Sequence, residues 1–155
     1  MTSKNQLQSK IEELEAQLQE FKKQLNNYKE VTIENASVGD VLDDGSIVLK
    51  KSNGLALLVA PKSTEVKCSW SKEFTEVFNK LEEHGFNPSQ WFVPTKEQLL
   101  VAYNTIPNEF STTAYWSSTE VIATYGCFVG FSTGNTGNCN KAYSFCVRAF
   151  RCVTY

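Results

Sequence analysis

The chain has 155 residues, of which 41% are apolar and 21% charged, enough for one folded domain of ordinary size plus an appendage. The formal net charge is −2, which argues against a protein that binds nucleic acid through a strongly basic surface. Residues 121–155 contain no Asp or Glu, which excludes a general-acid carboxylate or a carboxylate cage for calcium from that stretch.

Other features of the sequence argue against further protein classes. No run of 18 or more apolar residues exists, so we expect no insertion into a membrane. The first ten residues lack the apolar core of a signal peptide. The five cysteines show no CxxC spacing, and His84 is the only histidine. This composition predicts reduced thiols in a protein made in the cytosol, and it offers little material for a zinc site.

Residues 1–31 carry a heptad repeat of apolar side chains, uninterrupted by Gly or Pro. The repeat runs in steps of four and three, as a and d positions do, through Leu7, Ile11, Leu14, Leu18, Phe21, Leu25 and Tyr28. Because one helix alone cannot bury so narrow a stripe, we expect a coiled-coil stalk that associates with copies of itself. The alternative is a helix that folds back on its own domain.

The side chains in the repeat indicate how many helices associate. Leucine at a positions and aromatic residues at d positions disfavour a tight two-stranded seam. The stretch "KIEELE" resembles the trimerisation signature of short coiled coils, with Lys10 at the place of the usual arginine. We therefore expect a parallel homotrimer, with a stalk roughly 40 Å long at about 1.5 Å per residue.

After a junction at residues 32–37, residues 38–155 have the pattern of a compact α+β domain. The stretch "SIVLKKSNGLALLVA" predicts a β-hairpin, because Asn53-Gly54 favours positive φ at both turn residues. A helix is predicted next, with Ser71 as its N-cap and Gly85 just past its end. Its apolar face consists of Phe74, Val77, Phe78 and Leu81.

A second helix is predicted after Pro94, where Thr95 and Gln98 fit a capping box. Its inward side chains are Leu99, Leu100 and Tyr103. From Ala114 onward the chain has the pattern of short strands and loops, in "AYWSSTE", "YGCFVGF" and "KAYSFCVRAFRCV".

Six blocks, in order, resemble one known domain family: "VGDVLDDGSIVL", "GLALLVAP", "WFVPTKEQLLVAY", "YWSSTE", "FVGFSTG" and "CVRAFRCV". They resemble the domain that ends the collagen-like adhesin of Legionella, which is similar to the sulfatase-modifying, formylglycine-generating enzymes. The resemblance covers roughly residues 36–155. It implies a C-type-lectin-like fold with two helices, a small sheet and long binding loops, and it does not imply a ligand.

The formylglycine-generating enzymes bind copper through paired cysteines, so the thiols bear on an enzyme interpretation. Cys146 and Cys152 lie on one predicted strand, about 20 Å apart, and can neither bond nor share a metal. If the flanking strands form a hairpin centred on Thr136-Gly137, Cys127 lies opposite Cys146. We expect these two to be neighbouring buried thiols, and a disulfide between them stays open.

No other group suggests catalysis or metal binding. His84 is expected at a helix end rather than beside a nucleophile. The calcium-binding sugar motifs "EPN", "QPD" and "WND" of C-type lectins do not occur. Asn135, Asn138 and Asn140 offer only neutral oxygens, which are weak calcium ligands by themselves. The sequence predicts no enzyme, no metal and no cofactor.

Residues 132–141, "STGNTGNCNK", form a polar stretch between two predicted buried strands. One interpretation is a hairpin tip that is polar only because it is solvated. We favour a recognition loop, because Gly134 and Gly137 allow sharp turns and small amides with Tyr suit adaptable binding. Amides can bond sugar hydroxyls, and the lack of acid would tolerate anionic glycans. The predicted ligand-binding residues are Tyr125, Thr133, Asn135, Thr136, Asn138, Asn140, Lys141 and Tyr143.

The tryptophans and C-terminal arginines are predicted to be structural. Trp70, Trp91 and Trp116 are expected in the core. Arg148 and Arg151 fall on opposite faces of the predicted last strand, so they cannot form one anion clamp. Structural pairing with a glutamate is expected instead.

Together these features predict a bacteriophage fibre, tail-tip or head-fibre protein, located in the virion and assembled in the host cytoplasm. Its partners would be other copies of the chain, virion proteins bound by the N-terminal segment, and a host surface glycan or receptor. Three linked heads would gain avidity on a repetitive target. The alternative is a structural capsid or tail decoration protein whose helix docks on other virion proteins. An oxidase related to the formylglycine generators is a third interpretation.

Overall fold

A computed structural model describes residues 2–27 and 31–155. The chain divides into two compact units, Met1–Glu30 and Val31–Tyr155. The protein is of the α+β class, as the sequence predicts. The first unit holds helix α1 (Lys4–Asn27). The second unit holds, in chain order, β1 (Ile47–Ser52), β2 (Leu55–Val59), β3 (Val66–Cys68), α2 (Thr75–Glu83), α3 (Lys96–Thr105), β4 (Ala114–Ile122), β5 (Tyr125–Gly130), β6 (Thr136–Asn140), β7 (Phe145–Val147) and β8 (Phe150–Thr154).

Helix α1 begins with a capping box. The Ser3 hydroxyl accepts from the Gln6 N–H at 3.2 Å, and the Ser3 N–H donates to Gln6 Oε1 at 2.8 Å. The helix has 24 residues and none of them is buried. The predicted helix is therefore confirmed over these residues, while its association into a trimer stays a prediction. The predicted seam residue Tyr28 lies outside the described residues.

Residues 31–36, the first of the second unit, are held by contacts with β1 and β2. Lys51 Nζ donates to the carbonyl oxygens of Ile33 at 2.7 Å and Ala36 at 2.9 Å. Ala36 is buried in a small apolar cluster with Val48 and Leu58. Because these backbone and core contacts come from β1 and β2, the junction residues pack as part of the folded domain.

A three-stranded antiparallel sheet has the order β1-β2-β8. Its first two strands form the predicted hairpin. Asn53 has φ 53° and Gly54 has φ 75°, so both turn residues adopt the left-handed conformation that an Asn-Gly pair favours. The hairpin prediction is confirmed.

A five-stranded sheet has the order β3-β7-β4-β5-β6, which leaves β6 at one edge. All its pairs are antiparallel except β4 with β7. Helix α3, with β1 and β2, covers the face that carries Tyr115 and Val129. Helix α2, Trp70 and Trp91 cover the opposite face, which carries Trp116 and Phe128. The predicted core positions of Trp70, Trp91 and Trp116 are confirmed.

Helix α2 begins later than predicted. Its N-cap is Phe74, and Ser71 is not the cap residue, although its hydroxyl accepts from the Phe74 N–H at 3.0 Å. Phe74 has φ 43°, a left-handed conformation that costs a bulky residue about 1–3 kcal/mol. The helix end is as predicted, because Gly85 has φ 83° and the Phe86 N–H donates to the Leu81 carbonyl.

Helix α3 has the predicted start. The Thr95 hydroxyl accepts from the Gln98 N–H at 3.2 Å, and the Thr95 N–H donates to Gln98 Oε1 at 2.9 Å. Leu99 is fully buried, as predicted. Leu100 and Tyr103 are partly buried and pack against the same cluster.

The predicted last strand is two strands in different sheets. Its first part, β7, lies in the five-stranded sheet and its second part, β8, in the three-stranded sheet. Arg148 lies at the crossing and is 1% exposed. It does not pair directly with a described glutamate side chain. Its Nε donates to the Ala60 carbonyl at 2.8 Å, and its guanidinium also bonds the Glu109 carbonyl.

The cysteine geometry also differs from the prediction. Cys127 pairs with Asn138 across β5 and β6, and not with Cys146. Cys146 pairs with Lys67 and Tyr115 instead. The reason is that the hairpin turns at residues 131–135, before Thr136-Gly137, and the chain then leaves β6 for a different part of the sheet. All five cysteines are free thiols.

Candidate functional site

Half of the polar stretch at residues 132–141 is an edge strand, and the prediction of one long loop is wrong. Thr136–Asn140 forms β6, which pairs along its whole length with β5. Gly137 allows this pairing, because a Cβ there would lie 2.7 Å from the Phe128 ring. The real turn is short, and it packs on α3: a Cβ on Gly134 would lie 2.4 Å from Tyr103.

The side chains of β6 alternate between solvent and core. Thr136, Asn138 and Asn140 are exposed, whereas Gly137 and Cys139 are partly buried. Side chains at paired positions share one face of a sheet, and Asn140 pairs with Tyr125. The predicted residues Thr136, Asn138 and Asn140 therefore line one face of one strand.

This face continues across the neighbouring hairpin. Tyr125 pairs with Asn140 on one side and with Ile122 on the other. Ile122 is 53% exposed and Tyr125 is 41% exposed. We call the tip surface the set of Ile122, Tyr125, Thr136, Asn138 and Asn140. Paired Cβ atoms are about 4.5–5.5 Å apart, so one ligand can contact amide, aromatic ring and aliphatic chain together.

Sequence reasoning missed Ile122 and its exposed neighbour Val121. They lie between the predicted stretches "AYWSSTE" and "YGCFVGF", whereas in the structure they are the last two residues of β4. The signal that marks them is local: two β-branched residues directly before a two-residue turn at Ala123 and Thr124.

Lys141 lies beside the tip surface, but its charge is already engaged. Its Nζ donates to Glu120 Oε1 at 2.7 Å and to the Ala123 carbonyl at 2.9 Å. It also lies 4.2 Å from the centre of the Trp70 ring, and its side chain is 17% exposed. The hydrogen bond from Lys141 holds the pKa of Glu120 below its usual value. Glu120 stands just outside the acid-free stretch that the sequence defines, and the hairpin brings it back to neutralise Lys141.

The other predicted residues lie in the turns that flank β6. Tyr143 is 61% exposed, and its N–H donates to the Asn140 carbonyl. The Asn140 side chain accepts from the Ala142 N–H at 2.9 Å, which fixes that turn. Thr133 and Asn135 are exposed in the turn before β6, where the Thr133 hydroxyl accepts from the Asn135 N–H. The structure thus brings Tyr125, Asn138 and Asn140 together and leaves Thr133 and Asn135 at the far end of the strand.

The site contains no activated nucleophile among the described residues. Burial raises the pKa of the Cys127 thiol, so this group stays protonated at neutral pH. Burial likewise raises the pKa of Cys68, to about 11.

No group of three His, Cys, Asp or Glu side chains within residues 2–27 and 31–155 is arranged to hold a metal ion. In the same part of the chain, no helix combines the length and apolar character needed to cross a membrane. The arrangement at the tip surface can form hydrogen bonds and apolar contacts.

No known protein family matches this chain, and no curated protein matches its sequence. The resemblance drawn from the six sequence blocks therefore stays a prediction.

Proposed function

We propose that the protein is a homotrimeric attachment protein of the bacteriophage fibre type. Helix α1 would bundle with two copies of itself, and each second unit would bind a receptor on the host surface through its tip surface. A glycan is the ligand class that best fits a repetitive target.

The exposed seam of α1 carries the proposal. Its described apolar side chains are 48–71% exposed: Leu7, Ile11, Leu14, Leu18, Phe21 and Leu25. A regular apolar stripe of this kind on a solvated helix is typical of a surface that another helix covers. In a parallel bundle, Lys10 at a g position would reach Glu15 at an e position of the next helix. This pair complements charge between neighbouring copies, which supports a second copy as the partner.

The chemistry of the tip surface supports the receptor-binding part. It exposes two amides, the Thr136 hydroxyl, the Tyr125 phenol and an aliphatic chain, and the adjacent cation, Lys141, is paired with Glu120. A nearly neutral surface of this kind favours an uncharged glycan over the anionic glycans that the sequence suggested. Weak binding by each of three linked heads would combine into avidity on a repetitive target.

Two measurements test the proposal. Sedimentation equilibrium should give a mass three times that of the 17.4 kDa chain. A glycan array probed with the full chain should then show binding that Asn138→Ala or Tyr125→Ala abolishes, with circular dichroism and melting temperature nearly unchanged. Asn79→Ala, an exposed amide on α2, is the matched control and should bind as the wild type. Binding that survives both tip substitutions would count against the tip surface.

A structural decoration protein is the second candidate, and the same exposed seam favours it. An apolar stripe on a helix suits a helix of another virion protein as well as a copy of itself. The two candidates predict different solution states. A monomer at micromolar concentration that binds no glycan supports the decoration protein and removes the avidity argument.

A further inference from the structure

A cavity of about 460 Å³ opens on the face of the domain covered by α2. It lies among the segment before α2, the Trp91–Val93 segment, the start of α3 and the middle of β4. Its lining residues are Lys72, Phe74, Phe78, Trp91, Phe92, Val93, Thr95, Gln98 and Ser118. The volume is within the range of about 300–1,000 Å³ that is typical of small-ligand sites. Tyr125, Asn138 and Asn140 of the tip surface are not among the lining residues.

Trp91, one of the residues that line the cavity, has an unusual hydrogen-bond donor. The indole N–H of Trp70 donates to the Ser117 carbonyl at 2.7 Å, and that of Trp116 donates to the Cys68 carbonyl at 3.0 Å. The Trp91 N–H is also buried, but no described residue accepts its hydrogen bond. Buried polar groups nearly always have a partner, so an orphaned donor beside a cavity indicates an acceptor that comes from outside the chain.

The backbone at the same cavity is strained. Phe74 adopts φ 43° and ψ 46°, a left-handed conformation that bulky residues rarely adopt. Among the described non-glycine residues, the other one with positive φ is Asn53, in a hairpin turn that requires it. Strained residues of this kind persist only where the surrounding structure holds them in place. They occur preferentially at ligand sites and other functional sites. The strain and the orphaned donor occur together at one cavity.

The other lining groups define the chemistry of the ligand. Phe78, Phe92 and Val93 supply apolar contacts, and Gln98 and Ser118 supply amide and hydroxyl groups. No lining residue is acidic. The one charged lining residue is Lys72, whose side chain is 74% exposed and shares Glu120 with Lys141, so solvent screens its charge at the rim. The cavity suits an uncharged molecule that has an apolar face and several hydrogen-bonding oxygens.

We propose that this aromatic cleft binds a pyranose sugar ring. The C–H face of the ring packs on Phe78 and Phe92, and a sugar oxygen accepts the hydrogen bond of the Trp91 N–H. That N–H is shielded from solvent in the free protein, whereas Phe78 and Phe92 are only partly buried. Binding therefore includes a small displacement of the side chains that cover this N–H. The proposal rests neither on the trimer nor on the tip surface.

Indole N–H signals in nitrogen-15 NMR spectra of the full chain provide the test. The protein has three tryptophans, and substitution of each in turn assigns its signal. Methyl β-glucopyranoside and N-acetylglucosamine are added at millimolar concentration. The Trp91 signal should shift with saturation for at least one probe, while the hydrogen-bonded Trp70 and Trp116 signals stay in place. A Trp91 signal unchanged by both probes overturns the proposal.

Variants locate the binding site. Ser118→Gln fills the exposed rim of the cleft and keeps the backbone bond from Ser118 to the Pro94 carbonyl, so it should abolish the shift. Trp91→Phe removes the donor and should weaken sugar binding about tenfold in saturation-transfer NMR, as expected for one lost hydrogen bond. Asn138→Ala should change neither result, because it alters only the tip surface. A shift that persists in folded Ser118→Gln protein overturns the assignment to the cleft.

Discussion

Arg148 joins the two sheets at the point where the chain crosses between them. Its side chain lies 4.9 Å over the Phe110 ring and bonds two main-chain carbonyls, those of Ala60 and Glu109. Burial lowers the pKa of Arg148, and the nearby Glu65 opposes that shift. An arginine keeps its charge even so, because its ordinary pKa is far above neutral. The buried guanidinium thus holds together segments that are far apart in the sequence.

Arg148→Met should lower the free energy of unfolding by about 3–5 kcal/mol, because it leaves two buried carbonyl oxygens without a donor. Arg151→Met is the matched control. Arg151 is only partly buried and lies 5.9 Å from the Trp91 ring, so its loss should cost less than about 1 kcal/mol. Urea denaturation measures both. Equal losses in the two variants would show that Arg148 does not have the role described.

Alanine substitutions at two glycines in the left-handed conformation distinguish the cost of backbone strain from the cost of steric overlap. Gly134 has φ 77° and a Cβ there would lie 2.4 Å from Tyr103, whereas Gly85 has φ 83° and open space around it. Gly85→Ala should cost about 1–2 kcal/mol from strain alone. Gly134→Ala should cost at least about 1 kcal/mol more, because Tyr103 must move. Thermal and urea unfolding measure the loss of stability in both variants. Similar losses would mean that Tyr103 moves aside at no measurable cost in free energy.

At the scale of elements, the edge strand β6 is held by β5 along its length and by Lys141 just past its end. The ammonium of Lys141 bonds the Glu120 carboxylate of β4, and its carbonyl accepts from the backbone N–H of Trp70. The β4–β5 hairpin, β6 and the segment before α2 therefore meet at one residue. Lys141 thereby positions the tip surface, because Asn140 directly precedes Lys141, and Ile122 directly precedes Ala123, whose carbonyl Lys141 also bonds.

The ion pair predicts a pH dependence. Lys141 lowers the pKa of Glu120 from an ordinary value of 4.5, so the carboxylate is favoured in the folded state. The contribution of the Lys141–Glu120 pair to stability is present above the pKa of Glu120 in the unfolded chain. It is lost as the pH falls through the lower pKa of Glu120 in the folded protein. The difference in unfolding free energy between wild type and Lys141→Met should therefore shrink below about pH 4.5.

Lys72→Met serves as the comparison for this experiment. Lys72 is 74% exposed and lies 3.8 Å from Glu120, so its pH-dependent contribution should be smaller. Urea unfolding at a series of pH values measures both variants. A Lys141 effect that is constant over the whole pH range would exclude the Glu120 pair as its source.

At the scale of the whole molecule, the proposed function depends on one exposed seam. The helix unit buries none of its described residues, so in an isolated chain the seam is exposed to water. Covering six large apolar side chains in three copies is a strong driving force for association. In the proposed trimer the second units would need no contact with one another for avidity, because the bundled helices alone would link them.

Leu18→Asp should dissociate the proposed trimer, because it places a carboxylate at a central a position of the seam. Gln19→Asp adds the same charge one residue along, outside the seam, and should leave the mass unchanged. Sedimentation equilibrium measures the mass, and near-ultraviolet circular dichroism checks that the second unit stays folded. Equal masses for the two variants would argue against the seam as the interface.

The sequence by itself determined the features that depend on neighbours along the chain. The Asn53-Gly54 hairpin and the Thr95–Gln98 capping box are set by residues within a few positions of each other, and both are confirmed. The heptad of α1 is periodic and its helix is confirmed. The burial of the tryptophans follows from their size, which makes exposure to water unfavourable.

Only the tertiary structure decided the pairing of β6, the crossing at Arg148 and the partner of Lys141. Residues 132–141 have the composition of a loop, but Thr136–Asn140 form a strand because the edge of β5 offers hydrogen bonds and Gly137 leaves room for Phe128. Strand pairing and sheet exchange depend on contacts between distant parts of the chain, which local patterns do not encode. The same holds for the candidate site. Its amide residues can be predicted from the sequence, whereas their alignment with Tyr125 and Ile122 depends on strand pairing in the folded domain.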